Sequence, residues 1–168
     1  MSGRHRIGIA TLLSVGLVIS PMMLAWSPRL IWNASASVPI GLYAARPVEE
    51  IRVDDLVTVY PSDDLVRFLD KRGYVNPGTP LIKYVAALSG TTVCRKDNTI
   101  IVGTEVRGRA QKQDREGRAL PTWQGCQVLG PGEVFFLNHA RPDSLDSRYF
   151  GPLPVSTIAA RLTPLWID

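Results

Sequence analysis

Three stretches of the chain hold residues whose types and spacing could do chemistry. In Ser35-Ala36-Ser37-Val38-Pro39-Ile40-Gly41-Leu42-Tyr43 two serines sit beside a proline and a glycine. Pro39 fixes its own φ and biases Val38 toward an extended conformation, while Gly41 permits backbone geometry closed to other residues. A serine on such a stiff turn suits a nucleophile, although serine near Pro and Gly is also ordinary turn composition. In Leu81-Ile82-Lys83-Tyr84-Val85-Ala86-Ala87-Leu88, strand alternation puts Lys83 on one face with Leu81 and Val85. Apolar surroundings disfavour the ammonium and lower its pKa, which turns a lysine into a usable base near neutrality. The nearest acids in sequence are Asp70 and Asp97, so no local counter-charge opposes that effect; the alternative is a lysine that snorkels from a strand edge. In Asp143-Ser144-Leu145-Asp146-Ser147-Arg148-Tyr149-Phe150-Gly151-Pro152, an acid two residues before an arginine, among hydroxyls, can make a charge-assisted network that fixes a nearby site, or a solvated turn.

Other chemistries have less to draw on. His139 could serve a Ser-His hydrolase, but no G-x-S-x-G elbow accompanies it, and the other histidine, His5, precedes the first apolar run. Cys94 and Cys126 are most simply a disulfide in an oxidising compartment, with a cysteine nucleophile as the other option. Without C-x-x-C spacing they do not form a zinc site, and neither a metal nor a cofactor is expected.

These residues need elements to position them. The chain of 168 residues is long enough for a membrane segment and one domain. Ile7 to Trp26 is a run without a charged residue, long enough as a helix to cross a hydrocarbon core of about 30 Å. Arg4 and Arg6 precede it, so the positive-inside rule leaves residues 1–6 cytoplasmic, makes 7–26 a single transmembrane anchor in the inner membrane, and sends 27–168 across as a periplasmic domain. A cleaved signal peptide ending at Ala34-Ser35-Ala36 is the competing reading. Of the 19 Lys/Arg, Arg4, Arg6 and Arg29 fall in the first thirty residues, whereas all 15 Asp/Glu lie beyond them. The body is therefore nearly neutral, which argues against a nucleic-acid partner.

Leu56 to Tyr60 reads as a strand closed by Pro61. Ser62, Asp63 and Asp64, the apolar spacing of Leu65, Phe68 and Leu69, then Lys71, Arg72 and Gly73, signal a short helix with its start and stop. Leu81 to Leu88 and Thr91 to Arg95 read as strands, and an Asp97-Asn98 turn leads into Thr99 to Val102. Residues 103–125 lose periodicity and read as a loop or small insertion fastened by the cysteines. Glu133 to Asn138 and Ile158 to Ile167 complete a mainly β domain.

Ser37-Val38-Pro39 after an apolar run, Lys83-Tyr84-Val85-Ala86-Ala87-Leu88-Ser89-Gly90, and Ser144-Leu145-Asp146-Ser147-Arg148-Tyr149-Phe150-Gly151-Pro152 follow the order found in bacterial type I signal peptidases. The S-x-P-x-G-L-Y form at Ser37 and the Asp146-Ser147-Arg148-Tyr149-Phe150-Gly151-Pro152 run resemble, more narrowly, the TraF family of conjugative-transfer signal peptidases. The resemblance implies a signal-peptidase-like β domain with one or two short helices. It also implies a Ser-Lys dyad of nucleophile Ser37 and general base Lys83. Ser35 would help bind the oxyanion, Ser144 would orient the lysine, and Asp146 and Arg148 would support the site. Two segments depart from the family pattern: Gly-Leu-Pro-Gly-Asp after the lysine reads Ala87-Leu88-Ser89-Gly90-Thr91, and Gly-Asp-Asn before the last motif reads Leu137-Asn138-His139. The implied activity is that of a membrane-anchored serine endopeptidase acting on a membrane-inserted, pilin-like precursor, by hydrolysis or by cyclisation. A non-enzymatic anchored module of a conjugation or secretion apparatus is the alternative.

Overall fold

Short runs rich in β-branched and aromatic residues make strand the commonest regular element of this chain, and the strands form two antiparallel sheets. The structure is a computed structural model that describes residues 7–16 and 30–168. Residues 7–16 are helical (α1). In chain order there follow β1 (Leu30–Asn33), β2 (Gly41–Arg46), β3 (Leu56–Val59), α2 (Asp63–Lys71), β4 (Leu81–Leu88), β5 (Thr92–Lys96), β6 (Thr99–Val102) and β7 (Glu105–Arg109). Then come β8 (Gly125–Val128), β9 (Glu133–Phe136), α3 (Ser147–Phe150), β10 (Leu153–Pro154) and β11 (Ile158–Ile167). The larger sheet has the order β1-β2-β11-β3-β4-β9-β10 and the smaller one β7-β6-β5-β8. The expected mainly β domain with short helices is what the described residues form.

The expected transmembrane helix is not. Among the described residues no helix is long and apolar enough to cross a membrane. The described part of the 7–26 run is helical over ten residues, which at about 1.5 Å per residue covers only half of a hydrocarbon core of about 30 Å. Residues 1–6 and 17–29 lie outside the described residues, and with them part of the apolar run. The expected single-pass anchor, and the inner-membrane and periplasmic placement that followed from it, are thus not supported by the described residues.

The core falls into three apolar clusters. Val38, Tyr43, Leu56, Ile82 and Leu162 fill one face of the larger sheet. Val57, Val59, Val85, Val134 and Phe136 fill its other face. A third cluster, with Val93, Ile100, Leu129, Phe135 and Leu137, joins the two sheets. Cys94 and Cys126 face each other across β5 and β8 and form a disulfide. By loop entropy, closing a separation of 32 residues stabilises the fold by about 3–4 kcal/mol. Residues 103–125 hold β7 and, from 110 to 124, a connection that packs on α3. Gln111 N–H donates to the Tyr149 hydroxyl at 2.9 Å and Trp123 Nε1 to the Ser147 carbonyl at 3.1 Å. From β5, buried Arg95 reaches the Arg148 carbonyl at 2.7 Å.

The seven residues between β1 and β2 are a hairpin connection, and they carry both candidate serines. Gly41 closes it, pairing with Asn33 on one side and Ile167 on the other. Its φ is +152°, and a Cβ there would lie 2.1 Å from the Trp166 carbonyl oxygen. Gly41→Ala is thus expected to pull β2 from β11 and destabilise the domain by more than about 1 kcal/mol, read as a lower urea midpoint. A wild-type midpoint would refute the close approach.

Candidate active site

Lys83 lies on β4 opposite Val57 of β3, a member of the valine-rich cluster, with only 5% of its surface exposed. Its Nζ donates to Ser144 Oγ at 2.8 Å. Burial among apolar side chains lowers the pKa of the amine to about 8; Asp146 and Asp143 oppose the shift and Arg148 adds to it.

Ser144 is held by its position just before α3. Asp146 caps that helix, accepting from the Arg148 N–H at 3.2 Å, and the Arg148 guanidinium meets both carboxylate oxygens, Nε on Oδ1 at 2.7 Å and Nη2 on Oδ2 at 2.9 Å. Arg148 is 1% exposed, and its remaining N–H groups reach the carbonyls of Arg109, Pro142, Asn138 and Arg141. Ser147 Oγ accepts from the Phe136 N–H at 3.0 Å and so ties α3 to β9.

On the hairpin connection Ser35 Oγ and Ser37 Oγ are 3.1 Å apart. Ser37 reaches the lysine strand through Asn138. The Asn138 amide nitrogen donates to the Ser37 carbonyl at 2.9 Å and to the Ile82 carbonyl at 3.4 Å, while its Oδ1 accepts from the Tyr84 N–H at 3.0 Å. One buried carboxamide therefore grips the backbone on both sides of Lys83 and the backbone of Ser37. Its own N–H donates to Asp146 Oδ2 at 3.0 Å, which brings the acid-arginine pair into the same network. Arg141 Nε donates to the Ala36 carbonyl at 2.5 Å from the outer side.

Ser37, Lys83, Ser35, Ser144, Asp146 and Arg148 are thus gathered into two linked groups. Within the described residues no hydrogen bond joins Ser37 Oγ to Lys83 Nζ: each has a different hydroxyl as its partner. Catalytic hydrogen bonds of this kind commonly tighten only when substrate binds. A cavity of about 470 Å³ opens over the serine loop, lined by Ser37, Val38, Tyr84, Asn138 and Arg141, and a second of about 350 Å³ adjoins it at Pro39 and Tyr84. His139 also lines the first cavity, but no hydrogen bond connects it to either serine. Cys94 and Cys126 are joined to each other, which leaves neither as a nucleophile. No metal-holding cluster of His, Cys, Asp or Glu occurs among the described residues.

Asn138 entered the sequence reading only as a departure from a motif, and Asn33 and Arg141 did not enter it. In sequence an asparagine before a turn has no mark that separates a buried bridging amide from a solvated one.

A family model described as signal peptidase, peptidase S26 matches residues 4–166. The conjugal transfer protein TraF of Agrobacterium fabrum is 34% identical over 145 residues, covering 80% of each chain. The conjugal transfer protein TraF of Agrobacterium tumefaciens is 32% identical over 176 residues, covering 97% of each. Among solved structures, a signal peptidase I from Enterococcus faecalis aligns with 69% of this chain and 99% of its own, at 21% identity and a TM-score of 0.41.

Proposed function

Because the chain belongs to the TraF-type conjugal transfer proteins of the peptidase S26 signal peptidase family, and so to a family of serine-type proteases, we propose that Ser37 is its nucleophile and Lys83 its general base. The observation that carries this reading is Lys83: a buried amine with a lowered pKa whose hydrogen-bond partner among the described residues is a hydroxyl. Such an amine is neutral in a useful fraction of molecules near pH 8 and can take the serine proton. Ser37 Oγ attacks the scissile carbonyl, its proton passes to Lys83 Nζ, and Lys83 returns a proton to the leaving amine as the acyl-enzyme forms. The Ser37 N–H donates to the oxyanion, joined by the Ser35 hydroxyl once its proton turns from Asn33 Oδ1, Ser144 aims the amine, and the Asp146–Arg148 pair holds Ser144 and Asn138 in place.

The two adjoining cavities suit an extended peptide segment. The relatives' place in conjugal transfer favours a pilin-like precursor as the substrate. Water resolves the acyl-enzyme to give hydrolysis, and the precursor's own amino end would give a ring. Mass spectrometry of a pilin precursor from the same transfer system, incubated with the purified protein, tests this. A shortened product with the wild type and with His139→Ala, and none with Ser37→Ala, is expected; a product that has also lost a water indicates cyclisation. Equal processing by Ser37→Ala would remove the nucleophile assignment, whereas no product with any of the three proteins would favour a non-enzymatic role.

Lys83 also sets a pH profile. The base acts when neutral, so the cleavage rate should climb about tenfold per pH unit below a midpoint of about 8 and level off above it. Initial rates between pH 6 and 10 would read it. A rate that is level across this range would remove Lys83 as the base.

A further inference from the structure

We propose that Asn33 is a positioning residue for Ser37, an inference that rests on Ser37 being the nucleophile. Asn33 is the last residue of β1, only 5% exposed, with its carboxamide inside the hairpin connection that carries both serines. Nδ2 lies against three backbone carbonyls, those of Ser35 at 2.8 Å, Val38 at 3.1 Å and Pro39 at 2.9 Å. Oδ1 receives the Ser35 N–H at 3.1 Å and the Ser35 hydroxyl at 2.9 Å. Carbonyl oxygens only accept and a backbone N–H only donates, so these partners fix which end of the amide is which. One side chain therefore sets the curvature of the loop on either side of Ser37.

It also sets the direction of the hydroxyls. A serine has one hydroxyl proton, and that of Ser35 points to Asn33 Oδ1. At the 3.1 Å contact between the two serines, Ser37 must then be the donor and Ser35 the acceptor. The resting chain runs from Ser37 to Ser35 to Asn33, while Lys83 donates separately to Ser144. The reaction begins when the Ser37 proton turns from Ser35 to the amine. Asn33 keeps the Ser37 oxygen in place through that turn by holding the backbone before and after it. Pro39 O, one of its three carbonyl partners, also accepts from the Tyr43 hydroxyl at 2.6 Å, so the far side of the loop is doubly tied.

The test uses p-nitrophenyl acetate as the acylating probe on the whole chain. Ser37 Oγ bonds to the acetyl carbon, the bond to p-nitrophenolate breaks, and the serine proton goes to Lys83. The released p-nitrophenolate gives the rate, and intact mass gives the acetyl groups per chain. With Asn33→Ala we expect acylation at least about tenfold slower, still reaching one Ser37-dependent acetyl per chain, with the pH midpoint unmoved. A role confined to stability would instead leave a fraction of chains unreactive and the rest at the wild-type rate. Asn33→Asp, nearly the same shape, keeps both Ser35 contacts but turns an oxygen toward the three carbonyls; it should be slowed similarly and serves if the alanine variant does not fold. Wild-type rates in the Asn33 variants, or a loss seen only as lower stoichiometry, would overturn the inference. Acylation of wild type no faster than of Ser37→Ala would overturn the nucleophile assignment instead.

Discussion

Lys83→Met is expected to lower precursor cleavage by about 10³-fold or more while leaving the domain as stable as the wild type, or more so, at pH 7. Methionine matches the length of the lysine stem and fills the same slot between Leu81 and Val85 without an amine. The activity falls because no other side chain placed near Ser37 is a neutral amine; the stability holds because the buried ammonium is a burden on the fold. The sign can be worked out from the lowered pKa. The unfolded chain keeps the lysine proton up to about 10.5, whereas the folded one releases it at about 8. Between those values the unfolded state binds more protons, so wild-type stability rises with pH through that window and is lower below it, by on the order of 3 kcal/mol. Lys83→Met should lack this rise. Urea unfolding of both proteins at pH 7 and pH 10 reads the effect, alongside the cleavage rate. Cleavage within tenfold of wild type would end the general-base assignment, and a wild-type stability that fails to gain on the variant between the two pH values would contradict the buried charge.

The largest stability loss is expected at Asp146. Asp146→Ala leaves the Arg148 guanidinium, 1% exposed, without its counter-charge, and strips the Asn138 N–H of its acceptor. Removing one partner of a buried ion pair costs about 3–5 kcal/mol. The four backbone carbonyls that also hold Arg148 place the expectation toward the lower end of that range. Replacing both residues, Asp146→Leu with Arg148→Met, should be less damaging than the sum of the single changes, because no unpaired charge remains. A urea-unfolding cycle over the four proteins measures this. An Asp146→Ala loss below about 1 kcal/mol would mean that the pair behaves as a solvated surface contact.

How much of this was legible differs from residue to residue. Lys83 could be read because strand alternation is local: Leu81 and Val85 bracket it in sequence, and both belong to the same apolar cluster in the structure. The helix at Asp63–Lys71 announced both its ends, although the Ser62 side chain makes no capping hydrogen bond. The partner of Lys83 could not be read from spacing, since Ser144 lies 61 residues away and only a family resemblance joined the two. The β1–β2 hairpin was hidden because Gly41-Leu42-Tyr43 has turn composition, and it becomes strand through pairing with β11. β7 and β8 are mostly exposed strands without an apolar face, so no alternation marks them. The uncharged run at 7–26 was easy to see, but length and hydropathy alone did not make it a membrane-crossing helix among the described residues.

The sheet order has a consequence for when activity can arise during synthesis. β11, which follows β1 to β4 in the chain by some seventy residues or more, lies between β2 and β3. The serine hairpin β1–β2 and the lysine-bearing pair β3–β4, joined through α2, each pair residues close in sequence and can form early, but they share no strand contact until β11 enters between them. Such long-range closure is slow compared with hairpin formation. A nascent chain therefore carries the two halves of the candidate site apart, and they are joined only once β11 has been made and has paired with both.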